Sequence, residues 1–476
     1  MPRPNIIFIQ SDSHDGRSMG CMDHPAAHTP TLDALSERGT LFRNAYCNAP
    51  VCCPSRASMW SGRYPHEIEA WNNGRGLSPD DPTFVTSLQN AGYRTEIVGR
   101  TDHHSGAHTL GCWLSAWTRS AGITRSRAHV PHAAVTGEGT RVRLGDWKHV
   151  DRAAAWIHTQ AREGENPFFL HVGFVHPHPM RGYNTSPHYA ALIDPTEVTI
   201  PPREENEHPV MRYARLVKGV NELPPEDEIR RIRHHYLCMC AEVDEMIRTI
   251  LQAADDEGLL DSTVVVYTSD HGDVTMEHGQ SRKSVMFEGS VRVPLVVAGP
   301  GVARGHVADE FVSLVDVFPT LMDLAGAPHP RGIVGSSLGP LAGGATDASR
   351  DAAFCQSNGG LVCTGNYMLR RRDLKYVAYP GYEPQLFDLS SDPWEVHDLA
   401  PSRPDAVAEM DARLRTIVDY ESADAAAKRQ DRDDFTRWRA SLGEDGYRAA
   451  MVEWFPGWDE GDFGRIEEWV TTTSSA

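Results

Sequence analysis

NIIFIQSDSHDG, residues 5–16, is a short apolar run that stops abruptly in a polar cluster. The run Asn5 to Gln10 is too short for a stable helix and shows no alternation of polar and apolar residues, so it reads as a strand buried on both faces. The same grammar recurs along the chain. Tyr93 to Val98 is followed by GRTDHHSG, Phe168 to Phe174 by HPHPM, and Thr263 to Thr268 by SDHGD, while Val293 to Val297 is a fifth run of this kind. Helical stretches lie between them. One has Thr29 as N-cap, Pro30 at N1, Leu32 and Leu35 on one face and a stop at Gly39; another, long and charged, runs from about Pro225 through Ile250. Strands alternating with helices predict an α/β fold with a large, mostly parallel sheet flanked by helices. Sites in such sheets gather at the carboxyl ends of the strands. The four polar clusters all fall there.

The chain has 476 residues, a formal net charge of -19 and a pI near 5.6. That field repels nucleic acid and anionic membrane surfaces, so neither is expected as a partner. No apolar stretch has the roughly 20 residues a spanning helix needs. The N-terminus lacks the apolar core and cleavage site of a signal peptide, which leads us to expect a cytoplasmic protein. Nine cysteines, odd in number and scattered, do not form a disulfide framework. Cys238 and Cys240 sit on a predicted helix at i, i+2 and should face different ways. The predicted organisation is an α/β domain over 1–345, a small antiparallel β-subdomain over 346–401 and an acidic helical tail over 402–476. The tail carries Trp438, Trp454, Trp458 and Trp469, which must pack on this subunit or on a second copy, making a homo-oligomer through the tail one expected arrangement.

The segment 49–66, APVCCPSRASMWSGRYPH, holds the most chemistry. Pro54 in a first turn and Gly62 just past the end predict a short helix presenting Cys52 and Cys53 at its N-terminus. Backbone N–H groups there favour an anion and should lower a thiol pKa. Arg56, one turn on, can fork onto an oxyanion or hold the nucleophile. On these grounds alone, a capped helix with a buried cysteine and a reactive thiol are equally good readings.

Cys52-x-Pro54-Ser55-Arg56 followed by Gly62 resembles the signature of type I sulfatases, the formylglycine-dependent branch of the alkaline phosphatase superfamily. The stretch 268–301, TSDHGDVTMEHGQSRKSVMFEGSVRVPLVVAGPG, is similar to a second sulfatase block, and LFDLSSDPWEVHDLA to the family's C-terminal block. SDSHDG, DHHSGAHT, AWTR and YLCMCAEVDEM resemble the branch acting on 2-sulfated glucuronate. The resemblance implies an alkaline-phosphatase-like sandwich with a smaller C-terminal antiparallel sheet. It further implies that a formylglycine-generating enzyme oxidises Cys52, and that a divalent metal is held by Asp12, Asp270, His271 and the modified Cys52. Such an oxygen-rich set suits Ca²⁺ first, with Mg²⁺ and Mn²⁺ as alternatives. Arg56, His178 and Lys283 match positions that contact sulfate. Arg100 stands where many members have Lys, exchanging an ammonium for a planar fork.

Two departures stand out. Ser13 occupies the place of a second acidic metal ligand, leaving Asp15 to compensate from a loop. Asp102 replaces a histidine, which passes the proton-transfer work to His103 or His108, with His176 and His278 as lesser candidates. The implied chemistry is attack on sulfur by a hydrated aldehyde, loss of the alcohol, then expulsion of sulfate. The implied substrate is an anionic sulfated saccharide or aryl sulfate ester, with Arg119 and Arg125 placed to meet a uronate carboxylate. Two other readings compete: a phosphonate monoester hydrolase or phosphodiesterase using the same site, and a silent protein that binds an anionic sugar.

Overall fold

A computed structural model describes residues 3–122, 131–163, 167–180, 182–455 and 457–471. Its strands are β1 (Asn5–Asp12), β2 (Gly39–Tyr46), β3 (Arg94–Gly99), β4 (Ala133–Val135), β5 (Phe168–Pro177), β6 (Tyr183–Thr185) and β7 (Thr263–Ser269). They continue with β8 (Leu295–Ala298), β9 (His306–Ser313), β10 (Ala352–Ser357), β11 (Asn366–Arg371), β12 (Leu374–Tyr379) and β13 (Tyr382–Asp388). Seven of them form one sheet in the order β3-β5-β1-β7-β8-β2-β9, with β4 and β6 paired separately. All neighbours in the large sheet are parallel except at β8, which runs antiparallel to both β7 and β2.

Successive residues of β1 enter opposite layers. Ile6 and Phe8 join Trp60, Phe84 and Phe169 on one face. Ile7 and Ile9 face Leu170, Val172 and Val265 together with Val243, Met246 and Ile250 of the helix Glu226–Asp256 and Trp147 and Ile157 of the helix Leu144–Glu163. Covering both faces is why the strands read as unbroken apolar runs, and each large side chain so buried contributes about 1.5–3 kcal/mol. The predicted helix at Thr29 spans Pro30–Glu37, and Gly39 is already the first residue of β2. β2 itself escaped notice because exposed Arg43 and half-buried Asn44 break its apolar run at a register shift.

The strands β10 to β13 form the expected antiparallel sheet in sequential order. One face, including Cys355, Met368 and Val377, joins the main core; the other, including Phe354, Leu369 and Tyr376, is covered by Met410, Leu414 and Ala427 of the following helices. The tail folds as the helices Tyr420–Trp454, interrupted at Gly443, and Glu460–Thr471. Its aromatics Phe435, Trp458 and Trp469 pack with Leu114 and Trp117 of this same chain, and Trp469 Nε1 donates to Ser120 Oγ at 3.0 Å. That packing meets the demand of the tail aromatics without a second copy. All nine cysteines are free, and Cys238 and Cys240 do fall in different apolar clusters. Among the described residues no helix is long and apolar enough to cross a membrane.

Candidate active site

The register of the sheet brings the polar clusters together. Ser11 on β1 lies opposite Ser269 on β7, so Asp12 and Asp270 leave neighbouring strands at the same level. Gly99 on β3 pairs with Gly173 on β5, and Arg100 N–H donates to the Gly173 carbonyl at 2.9 Å. A Cβ on Gly173 would stand 1.9 Å from the Arg100 carbonyl oxygen, so only glycine lets the chain turn Arg100 toward Asp12 here. The third component is the predicted helix, which spans Cys52–Ser61 with Gly62 in the left-handed region at its end, φ 67°. Ser55 Oγ donates to the Asp270 carbonyl and fixes the helix start to the end of β7.

One ligating atom each from Asp12, Cys52, Asp270 and His271 lies within 4.8 Å of the others, and all four residues are buried. His271 Nδ1 faces its neighbour's carbonyl, Gly272 O, at 3.0 Å, which leaves Nε2 as the free imine nitrogen; it lies 3.7 Å from Asp12 Oδ1 and 3.5 Å from Asp270 Oδ2. Two carboxylates, an imidazole lone pair and the side chain of residue 52, converging at a buried point, fit a divalent cation. Ser13 fills the place of the missing acid: its Oγ donates to Asp12 Oδ1 at 3.1 Å and its N–H to Asp270 Oδ1 at 3.3 Å. It orients both carboxylates while adding no charge. Asp15 does not compensate. Rather than a solvated loop residue it is buried, forked by Arg17 at 2.8–3.1 Å and adjacent to Glu277 through that arginine.

Cations surround the cluster. Lys283 Nζ lies 2.7 Å from Cys52 Sγ, 2.9 Å from His271 Nε2 and 3.7 Å from Asp12 Oδ1. Burial works against its ammonium, but negative charge at Cys52, Asp12 and Asp270 outweighs that and holds its pKa above the usual value. Arg100 reaches Asp12 Oδ2 at 3.3 Å with Nη1 and pairs with Asp102 through Nε. Arg56 is completely buried and spends its fork inward, on Asp270 Oδ2 at 2.8 Å, Asp12 Oδ2 at 3.2 Å and the Arg100 carbonyl at 3.4 Å. It braces the two carboxylates and the helix Cys52–Ser61 instead of facing a pocket. The expectation of a lowered thiol pKa is corrected here: burial, followed by the Asp12 charge, pushes Cys52 up to about 12. Desolvation outweighs the few N–H dipoles of a helix end.

The histidines separate cleanly. His178 loses basicity through burial and the charges of Lys283, Arg100 and Arg282, with Asp12 opposing, so it shares the field of the centre. His108 lies 3.8 Å from Asp102 Oδ2, and burial together with Arg100 and Lys283 takes its pKa down to about 4 against the pull of Asp102. His103 instead stacks on Trp60 with centroids 3.8 Å apart and is brought to about 3, chiefly by burial. His176 pairs with Glu242 at 3.1 Å, and His278 stacks on Phe287 at 3.5 Å beside Glu204. His103 and His278 are thus held by ring stacking, and His176 by Glu242. Arg119 is likewise not a carboxylate receptor for substrate: it is buried on Asp431 at 2.9 Å and Asp424 at 3.5 Å. Arg125 lies outside the described residues.

Sequence reasoning missed one supporting element. Asn73 Oδ1 accepts from the Cys53 N–H at 3.1 Å, and the adjacent Asn72 donates to Asp431 Oδ1 at 2.7 Å, on the helix Tyr420–Trp454. The tail thus braces the turn that caps the helix Cys52–Ser61. The doublet at 72–73, next to Gly74, was the available signal, since Asn favours such turns.

With this geometry in hand, comparison with known proteins is direct. The family model described as Sulfatase matches residues 4–327, and that of N-sulphoglucosamine sulphohydrolase, C-terminal, matches 276–420. The chain is 38% identical to arylsulfatase K of Xenopus laevis over 99% of its own length and 94% of the relative's. Among solved structures, the phosphonate monoester hydrolase of Agrobacterium radiobacter superposes with a TM-score of 0.72 at 24% identity, covering 87% of this chain and 96% of the other. A 2-O GAG sulfatase gives 0.70 at 22% identity, covering 89% and 94%. These structural likenesses are likenesses of fold, that of the alkaline-phosphatase-like sandwich.

Proposed function

The chain belongs to the sulfatase family of sulfuric ester hydrolases, and from that premise we propose that it removes the 2-O-sulfate of a terminal uronic acid, glucuronate, in a small saccharide. The observation that carries the reading is the cationic surround of Cys52. Lys283 and Arg100 stand at the cluster, and the charge of Arg282 adds to theirs at His178. Several positive groups around one nucleophile suit an ester that brings a second anion, the uronate carboxylate, beside its sulfate. Likeness to arylsulfatase K over nearly the whole chain supports the same branch.

We infer that residue 52 acts as formylglycine, so the Cys52 Sγ marks the place of the attacking oxygen. A divalent ion bound by Asp12, Asp270, His271 and residue 52, with Ca²⁺ the best match to the donors, would draw charge from the sulfate oxygens. The chain's own groups do the rest. Lys283, within 2.7 Å of the side chain at 52, neutralises the oxygens of the ester as charge shifts onto them. Arg56 and Ser13 keep the carboxylates from turning, and His178 lines the same field. His108, held near Asp102 and neutral because burial lowers its pKa to about 4, offers its imidazole N–H as a hydrogen bond to the departing sugar oxygen.

Two measurements test this. Intact mass of the peptide containing Cys52 reports its conversion; an unconverted thiol in protein from the native host refutes the nucleophile. Initial rates on 2-sulfated uronate disaccharides are expected to exceed those on 6-sulfated glucosamine counterparts. The reverse order refutes the substrate, and phosphodiester turnover dominating both supports the phosphonate-hydrolase alternative.

A further inference from the structure

With Arg119 spent on Asp431 and Asp424 inside the fold, the carboxylate of a uronate substrate still needs a receptor. Three cations act on His178: Lys283, Arg100 and Arg282. The first two are committed to the centre, reaching Asp12 at 3.7 and 3.3 Å. The third is not. Arg282 is half-buried, and its side chain makes no ion pair and no hydrogen bond among the described residues.

The backbone fixes where Arg282 stands. It lies in the loop between β7 and β8, next to Lys283, and consecutive Cα atoms are only about 3.8 Å apart. Within 275–284, Thr275, Met276, His278, Arg282 and Ser284 all take the left-handed backbone, with φ between 40° and 76°. That conformation is costly for residues with a Cβ, so such a run persists only where its surroundings hold it. The hold is visible on both sides of Lys283. The Arg282 carbonyl accepts from the Val274 N–H at 2.8 Å, and the Ser284 N–H donates to the Pro50 carbonyl, two residues before Cys52, at 3.0 Å. The charge of Arg282 acts on His178, Lys218 and Asp273, yet it is not among the leading charges at Cys52 or Asp12. Arg282 therefore stands outside the innermost cations, on the His178 side. Asp273 does not close on it: its Oδ1 accepts from Tyr183 Oη and the Thr275 N–H at 2.9 Å each, and its Oδ2 is buried without a hydrogen-bond partner.

We propose that Arg282 is a specificity-determining residue that receives the carboxylate of the terminal uronate. In a pyranose ring C2 and C5 lie opposite each other, so a sugar whose 2-O-sulfate meets Lys283 and residue 52 presents its carboxylate one ring width away. The planar fork of an arginine matches the two oxygens of that group. A guanidinium with no ion pair in the free protein gives none up when the substrate arrives. A neutral sugar sulfate leaves it unpaired, and that difference is the source of discrimination. The assignment rests on the reading of the chain as a uronate 2-O-sulfatase.

The test uses the full chain, with Cys52 converted and metal loaded, on three substrates: a 2-sulfated glucuronate disaccharide, the same disaccharide with its carboxyl reduced to an alcohol, and a 6-sulfated glucosamine counterpart. Wild type should favour the uronate over its reduced form roughly 10–100-fold in kcat/KM, mostly through KM. Arg282→Met should bring that ratio to within about threefold of unity, and Arg282→Lys should keep part of it. A ratio unchanged in Arg282→Met overturns the proposal. Equal losses on both disaccharides overturn it too, because they make Arg282 a support of the Lys283 loop. Should that variant fail to fold, Arg282→Gln is read the same way, and a wild-type ratio near unity refutes the assignment with no variant at all. Preference of wild type for the glucosamine ester sinks the substrate reading and this assignment together; preference for the uronate that survives in the variant sinks only the role of Arg282.

Discussion

Replacing Lys283 by Met should move catalysis and metal binding in opposite directions. The ammonium lies 2.7 Å from Cys52 Sγ, where an ester oxygen must approach, and it is almost wholly screened from solvent. At an effective dielectric near 20, a unit charge about 4 Å from a unit negative charge is worth ~4 kcal/mol. Most of that is lost in the neutral variant, so kcat/KM on an aryl sulfate at saturating metal should fall roughly 10²–10³-fold. The same ammonium stands 2.9 Å from His271 Nε2 and 3.7 Å from Asp12 Oδ1, both atoms of the proposed ligand set, and would therefore repel a cation held there. Removing it should tighten divalent-metal affinity about tenfold or more, read by calorimetry after chelation and reloading. Loss of activity together with weaker metal binding would refute this reasoning, because it would make Lys283 a structural support of the cluster.

His108→Ala should lower turnover of a sugar sulfate about 10²-fold or more, yet that of a nitrophenyl sulfate less than about tenfold, since a good leaving group needs little help from a hydrogen-bond donor; equal losses would remove His108 from leaving-group stabilisation. Asp431→Ala leaves Arg119 buried with Asp424 as its remaining acidic partner and should cost about 3–5 kcal/mol in denaturant unfolding, whereas Asp431→Asn, which keeps an acceptor for Asn72, should cost less. Chelating the metal should lower the melting temperature, and Ca²⁺ at about 100 times its Kd should restore roughly 2.7 kcal/mol; no shift on chelation would count against a bound ion at Asp12 and Asp270. Phe435→Ala, which opens the centre of the tail cluster, should cost about 3–5 kcal/mol in the same unfolding assay.

The sheet and its site were largely legible because both depend on local pattern. Strands buried on two faces must be apolar throughout, and polar residues at their carboxyl ends converge wherever the register aligns them, as Ser11 and Ser269 show. What local pattern cannot carry is the partner of a charged side chain. Asp15, Arg56 and Arg119 look alike in sequence, as polar residues near a site. In the fold, Asp15 belongs to Arg17, Arg56 to the two carboxylates, and Arg119 to Asp431. His103 and His108 differ by five positions, and only the stacking of His103 on Trp60 tells them apart. β8 was equally hidden in its direction, since a four-residue strand carries no mark of running antiparallel.

The contact between Asn72 and Asp431 spans 359 residues of chain, and that separation sets a clock. A ribosome adding about 5–20 residues per second needs roughly 20–70 s to pass from one to the other. For that interval the turn bearing Asn72 and Asn73 has emerged while its brace does not yet exist. In the finished molecule Cys52 is 2% exposed, closed to any large visitor. An enzyme acting on Cys52 would therefore find its segment least braced before the helix Tyr420–Trp454 has been made.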